Sequence, residues 1–308
     1  MDFAIVFVYI NVFLDARRLE RYNLKNMNLG VHISGVDKIY RTLEEAHRLK
    51  CTTMQVFLRN PQQWKTKLLS EKDIEKFKTL RKKFKINPVF IHISYLINLA
   101  SPKITLYKGS IHAYAKDIKQ AEKLEADYIV THMGSHTGTS EEDGIKRLTI
   151  ALNEIIEKTK DSQVGILLEN TSGSGSWLGY KFEHHQKIIA GIKEKKRIGL
   201  CFDTAHAYLA GYDLSTEEGL DATLKEIDEL VGLNLLKLIH LNDADGSLGS
   251  HRDRHQHIGK GNIGLEGMKR IINHPKLRDI PLILETPKEN EESDRINLNL
   301  VRKLAQKK

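Results

Sequence analysis

Cysteine is scarce in this chain. Two residues of 308, Cys51 and Cys201, are too few for a disulfide framework. That excludes the disulfide-stapled secreted class and points to a reducing compartment, with the cytoplasm as the expected address. A long apolar run is lacking too: Phe3 to Leu14 is nearly all apolar, but twelve residues are too few to cross a bilayer. Asp2 is the only charge ahead of that run, so the basic start of a secretory signal is missing. Residues 1–26 therefore read as an N-terminal extension to which the sequence assigns no role, and the part that carries the pattern opens at Met27. No G-x-G-x-x-G follows the first apolar run, where Gly30-Val-His-Ile-Ser-Gly35 stands, and this disfavours a dinucleotide fold. No Pro/Ser-rich linker divides the remainder, which favours a single domain over 27–308. With 40% hydrophobic and 29% charged residues, the composition excludes a disordered, collagen-like or multi-span membrane chain.

What the sequence does hold is a repeat. Eight times, a short β-branched or apolar run is followed by a longer stretch with charged faces. The runs are 28–34, 53–58, 88–93, 128–134, 164–170, 198–204, 236–243 and 281–286. Between them, Glu71 to Phe84, Glu141 to Lys160 and Glu217 to Val231 carry apolar residues three and four apart, the spacing of amphipathic helices. Eight such alternations predict an α/β fold, a single (β/α)8 barrel, with a doubly wound sheet as runner-up. A barrel of this type builds its active site at the C-terminal face of the strands.

The sequence is also rich in histidine, with 14 residues against 9 Phe and 10 Tyr. The runs end in chemistry: His92 on the third, His132 on the fourth, Glu169 on the fifth, Asp203 on the sixth with His206 three residues on, His240 on the seventh and Glu285 on the eighth. The loop after the seventh adds Asp253 and His255. These five imidazoles and four carboxylates would be costly to bury unpaired, whereas two or three divalent cations would offset the charge. Nitrogen and oxygen donors without cysteine suit Zn2+ or Mn2+, and nine donors exceed the needs of one ion, so a cluster with a bridging carboxylate is expected. His32 and His136 read as outer partners of that site. His47, His112, His184, His185 and His274 read as solvated helical residues. Adjacent divalent ions suit phosphodiester hydrolysis, and the net charge of +8 suits a polyanionic substrate. The quartet Glu169, Asp203, His240 and Glu285 leaves a second chemistry open, a single-metal sugar isomerase or epimerase on the same barrel.

Several runs resemble the endonuclease IV family of zinc-dependent abasic-site (AP) endonucleases. They are His92-Ile-Ser-Tyr-Leu-Ile-Asn-Leu-Ala100, Gly199-Leu-Cys-Phe-Asp-Thr-Ala-His206 and His240-Leu-Asn-Asp-Ala244, the last leading to Asp253-Arg-His255 and Gly259-Lys-Gly-Asn-Ile-Gly264. Thr131-His-Met-Gly-Ser-His136, Leu168-Glu-Asn-Thr-Ser172 and Leu284-Glu-Thr286 are shorter matches, and the likeness runs from Met27 to about Leu304. It implies three zinc ions per chain. His92 and His132 would hold the first, with Glu169, the catalytic bridge, shared with the second. Asp203, His240 and Glu285 would complete the second, and His206, Asp253 and His255 the third. The implied substrate is duplex DNA with an abasic site, cut on its 5′ side to leave a 3′-hydroxyl and a 5′-deoxyribose phosphate, with trimming of blocked 3′ ends. No membrane partner is implied, and a monomer is expected. Tyr95 and Leu96 match the wedge this family inserts at the lesion. Gln62 stands where the family often places an inserting Arg, with Arg59 as a candidate substitute.

Overall fold

A computed structural model describes residues 27–34, 37–60, 63–64 and 68–305. Eight parallel strands close into a barrel: β1 (Leu29–Ile33), β2 (Met54–Phe57), β3 (Val89–His92), β4 (Tyr128–His132), β5 (Gly165–Glu169), β6 (Ile198–Asp203), β7 (Leu236–His240) and β8 (Leu282–Leu284). Closure is made where Gly30 of β1 pairs with Ile283 of β8, so the doubly wound alternative falls away. Around the barrel run α1 (Ile39–Arg48), α2 (Glu71–Phe84), α3 (Ile104–Lys123), α4 (Glu141–Lys158), α5 (Phe182–Gly191), α6 (Thr204–Ala210), α7 (Glu217–Leu230), α8 (Gly264–Asn273) and α9 (Ser293–Leu304). The extension 1–26 lies outside the described residues.

The helices form where the sequence supplies both ends and a stripe. Ser70 Oγ accepts from the backbone N–H of Asp73 at 3.2 Å and starts α2; Glu71 and Asp73 sit in its first turn and Arg81 to Lys83 in its last. Those charges complement the helix dipole, and the cap leaves one fewer unsatisfied donor. Ser140 does the same for α4, whose buried face is Ile145, Leu148, Leu152 and Ile155. This is the three-and-four spacing read from the sequence.

The barrel interior explains why the chemistry lies at the strand ends. Phe90, Val130, Leu167, Cys201, Leu238 and Ile283, one from each of β3 to β8, form a separate buried cluster inside the barrel. Each lies two residues before a polar group, respectively His92, His132, Glu169, Asp203, His240 and Glu285. Side chains of a strand alternate between faces, so residues two apart share one. The inner face therefore carries an apolar layer with a polar layer directly above it. Burying each large apolar side chain contributes roughly 1.5–3 kcal/mol, which helps hold the ring of donors in place. Between β6 and β7 the register shifts at Leu200/Cys201, and beyond the shift Asp203 pairs with His240.

Candidate metal centre

The nine expected donors converge. His92 Nε2 and His132 Nε2 each lie 3.2 Å from Glu169 Oε2. On the other side of the same carboxylate, Glu169 Oε1 is 2.9 Å from His240 Nδ1, which also lies 3.2 Å from Glu285 Oε2. His206 Nε2 reaches Asp253 Oδ1 at 3.1 Å, and His255 Nε2 is 3.6 Å from Asp203 Oδ2. The donor atoms fall into three groups, each within 4.8 Å: His92, His132 and Glu169; Glu169, Asp203, His240 and Glu285; Asp203, His206 and His255. Asp253 joins the last through His206. Glu285 follows β8 directly instead of ending it. His255 and Gln256 form a two-stranded antiparallel ribbon with Asp243 and Ala244, which folds the loop after β7 back over the site.

Local structure fixes which atom each side chain offers. Asp203 caps α6: its Oδ1 accepts from the His206 backbone N–H at 2.8 Å, and Asn242 donates to Oδ2 at 2.8 Å. His92, His206 and His255 each turn Nδ1 to a backbone carbonyl, of Ile93 at 2.7 Å, Asn170 at 3.0 Å and Glu285 at 3.2 Å. With Nδ1 donating to a carbonyl, Nε2 is the atom each ring turns to the centre, and it would offer a lone pair to a cation once the ring is neutral. Gly179 supports this from behind. It adopts φ +96°, and a Cβ there would lie 3.2 Å from the Glu169 carbonyl oxygen, a place open only to glycine.

The electrostatics ask for cations. Burial raises the Glu169 carboxyl, but His240 and His132 beside it outweigh burial and hold it well below the usual range. Glu285 is likewise held low against burial by His240 and His32, and Asp253 against burial by His206. Burial lowers His206, yet Asp203, Asp253 and Glu169 push it up to about 10. Buried carboxylates thus draw positive charge onto neighbouring imidazoles, the same charge divalent ions would bring. His255 Nε2 is buried with no hydrogen-bond partner while facing Asp203. A cation between the two would satisfy both. The residues fit a divalent metal cluster, and an imidazole and carboxylate set is the one zinc takes.

Some expectations change. Cys201 Sγ lies within 4.8 Å of donor atoms of Glu169 and His240, a neighbour the sequence did not reveal; burial pushes the thiol up to about 12 and keeps it protonated. His184 and His185 are not solvated but buried, because α5 turns them inward; His184 Nδ1 accepts from the Gly179 backbone N–H at 3.0 Å. His136 packs against Gly144 at the start of α4 and, among the described residues, makes no hydrogen bond to a donor of the centre. His32 is an outer partner as expected, 2.9 Å from Glu285 Oε1. Gln55, Asn170 and Asn242 were missed. The one available signal was polarity inside otherwise apolar strand ends, as in Met54-Gln-Val-Phe57.

Tyr95 is exposed above the site, its ring 6.2 Å from that of His132, and Leu96 is half-buried beside it. A cavity of about 160 Å3 opens there, lined by Tyr95, His132, Ser172, Trp177, His206 and Asp253. Gln62 lies outside the described residues. Arg59 is no substitute for an inserting Arg, since its guanidinium is buried against Asp117 of α3.

Residues 43–304 match the family described as xylose isomerase-like TIM barrel. The probable endonuclease 4 of Halothermothrix orenii is 43% identical over 278 residues, 90% of this chain and 100% of that protein. The chain belongs to the endonuclease IV family. A solved endonuclease IV, from Thermus thermophilus, superposes with a TM-score of 0.80 at 34% identity, covering 90% of this chain and 98% of that one. A D-tagatose 3-epimerase-like protein superposes at 0.68 with 22% identity over 91% of this chain and 97% of that one, and shares the fold alone. Among the described residues of this endonuclease IV family member, no helix is long and apolar enough to cross a membrane.

Proposed function

We propose that this chain is a zinc-dependent AP endonuclease that cuts duplex DNA on the 5′ side of an abasic site. The products are a 3′-hydroxyl and a 5′-deoxyribose phosphate, and blocked 3′ ends are trimmed at the same site. It acts as a monomer in the cytoplasm, a reading that the two buried free thiols, Cys51 and Cys201, suit.

The observation that carries the proposal is the third donor group. Glu169, Asp203, His240 and Glu285 alone would serve a single-metal isomerase, which leaves His92, His132, His206, Asp253 and His255 without work. Together the nine donors suit three ions: His92 and His132 on one, Asp203, His240 and Glu285 on another with Glu169 between, and His206, Asp253 and His255 on the third. When bound, such ions supply Lewis acidity at phosphoryl oxygens and offset charge on the leaving oxygen. The chain's own part is to aim the donors and to receive the nucleotide. Tyr95, exposed beside His132, and Leu96 would act as the wedge, and a nucleotide without a base gives up little stacking when turned out.

The test is cleavage of a duplex carrying one abasic analogue, before and after prolonged chelation. We expect a single nick 5′ to the lesion, lost on chelation and restored by zinc. Protein that holds one ion, epimerises a ketose and leaves the duplex intact would overturn the proposal in favour of the isomerase.

A further inference from the structure

Among the histidines whose ring contacts orient them toward the centre, His240 is turned the other way. His92, His206 and His255 give Nδ1 to a backbone carbonyl and offer Nε2. His240 instead offers Nδ1, 2.9 Å from Glu169 Oε1 and 3.2 Å from Glu285 Oε2, and turns Nε2 away. That outer nitrogen lies 2.8 Å from Gln55 Oε1. Gln55 sits on β2, which supplies none of the nine donors, and it is fully buried. Its other amide atom, Nε2, donates to Glu285 Oε1 at 2.6 Å and lies 2.9 Å from His32 Nδ1. The amide cannot be the other way round, because its oxygen would then face the Glu285 carboxylate at that distance with no proton between them.

We propose that Gln55 is the positioning residue of the middle metal position, its amide holding His240 by Nε2 and Glu285 by Oε1 so that both face Glu169 and Asp203. A Gln side chain offers an acceptor and two donors on one rigid plane. Here the acceptor fixes the His240 ring with the N–H outward, which leaves Nδ1 as the lone pair. The donor side fixes the carboxylate of the next strand round the barrel. One group therefore sets two donors drawn from β7 and the end of β8. The inference rests on the metal-centre reading above and assigns Gln55 no contact with substrate.

The test measures metal binding, not cleavage. Zinc-loaded wild type and Gln55→Met are titrated with a chromophoric chelator, and the cobalt-substituted forms are compared by their visible absorption. In Gln55→Met one of the bound ions should weaken by roughly 10–100-fold, the usual effect of losing a partner of a metal ligand, while the others keep their wild-type affinity. The cobalt band of that one ion should change shape. Equal affinities in a variant whose circular dichroism matches wild type would overturn the proposal, since a merely structural Gln55 would lower the melting temperature and leave the ions alone. If Gln55→Met does not fold, a zinc-loaded crystal structure of the wild type decides. His240 coordinating through Nδ1 with Nε2 on Gln55 supports the proposal, and coordination through Nε2 overturns it. Wild type that retains no ion would sink this inference together with the metal-centre reading, whereas a wild-type cluster with an indifferent Gln55 would sink this inference alone.

Discussion

His206 Nε2 lies 3.1 Å from Asp253 Oδ1, joining the first turn of α6 to the loop after β7 across 47 residues of sequence. The Asp253 side chain is half exposed, so it can be replaced with little cost to the core. Asp253→Asn should reduce the zinc content from about three ions per chain to about two, because an amide is a much poorer ligand than a carboxylate. Elemental analysis after exhaustive dialysis reads the number. An unchanged count would remove Asp253 from the ligand set.

Glu169 is the group on which both sides of the centre meet, and Glu169→Gln keeps its shape while removing its charge. Cleavage of abasic duplex should fall by at least about a hundredfold while duplex affinity largely persists. Single-turnover cleavage alongside a filter-binding titration separates the two, and near-normal cleavage would refute the bridging role.

Tyr95 and Leu96 are not among the nine donors, although the Tyr95 ring packs 6.0 Å from that of His92 and 6.2 Å from that of His132, so zinc content is checked alongside. The double Ala variant should lose on the order of tens-fold on abasic duplex and much less on a duplex already opened by a nick or gap, since only the first requires unstacking. Equal losses on both substrates, at matched salt and zinc, would reduce the pair to loop packing.

Arg59 and Asp117 form an ion pair whose side chains are each 3% exposed. Asp117→Ala leaves a buried guanidinium uncompensated and should cost about 3–5 kcal/mol in urea denaturation. Replacing both, Arg59→Met with Asp117→Leu, should recover most of that loss, because desolvation nearly cancels the attraction within such a pair. A double variant as unstable as the single one would show that the pair contributes more than charge balance.

His185 offers a pH signature. It is fully buried against Phe182, its Nδ1 lies 3.4 Å from the Lys181 carbonyl, and burial pushes it down to about 3. A lowered folded value means that the folded chain binds fewer protons than the unfolded one. Its contribution is then complete above an unfolded value of about 6.5 and is lost as pH falls toward about 3. In metal-free protein, His185→Leu should lose less stability than wild type between about pH 7 and about pH 4.5. Parallel losses in urea midpoint would contradict the assignment.

The barrel and its donors were legible because they follow local rules. Period-two strands and period-3.6 helices can be read in a window, and a His or Glu closing an apolar run stands out against it, as in Phe90-Ile-His92 or Leu167-Leu-Glu169. What was not legible depends on packing between elements. Gln55 looks like one polar residue in an apolar strand until β7 and β8 bring His240 and Glu285 to it. His184 and His185 lie in a charged-looking stretch, and only the rotation of α5 against the barrel buries them. Arg59 reads as a spare cation beside Gln62 until α3 supplies Asp117. Cys201 escaped notice as a neighbour of the donors because, two residues below Asp203, it belongs to the layer that insulates them.

That layer has one more effect. Phe90, Val130, Leu167, Cys201, Leu238 and Ile283 stopper the barrel from beneath. Among the described residues, the donors therefore open toward the rim where Tyr95 and the ribbon of His255 stand, above the layer that closes the barrel. Any body seated on that rim would cover the ring of donors and shield it from bulk water.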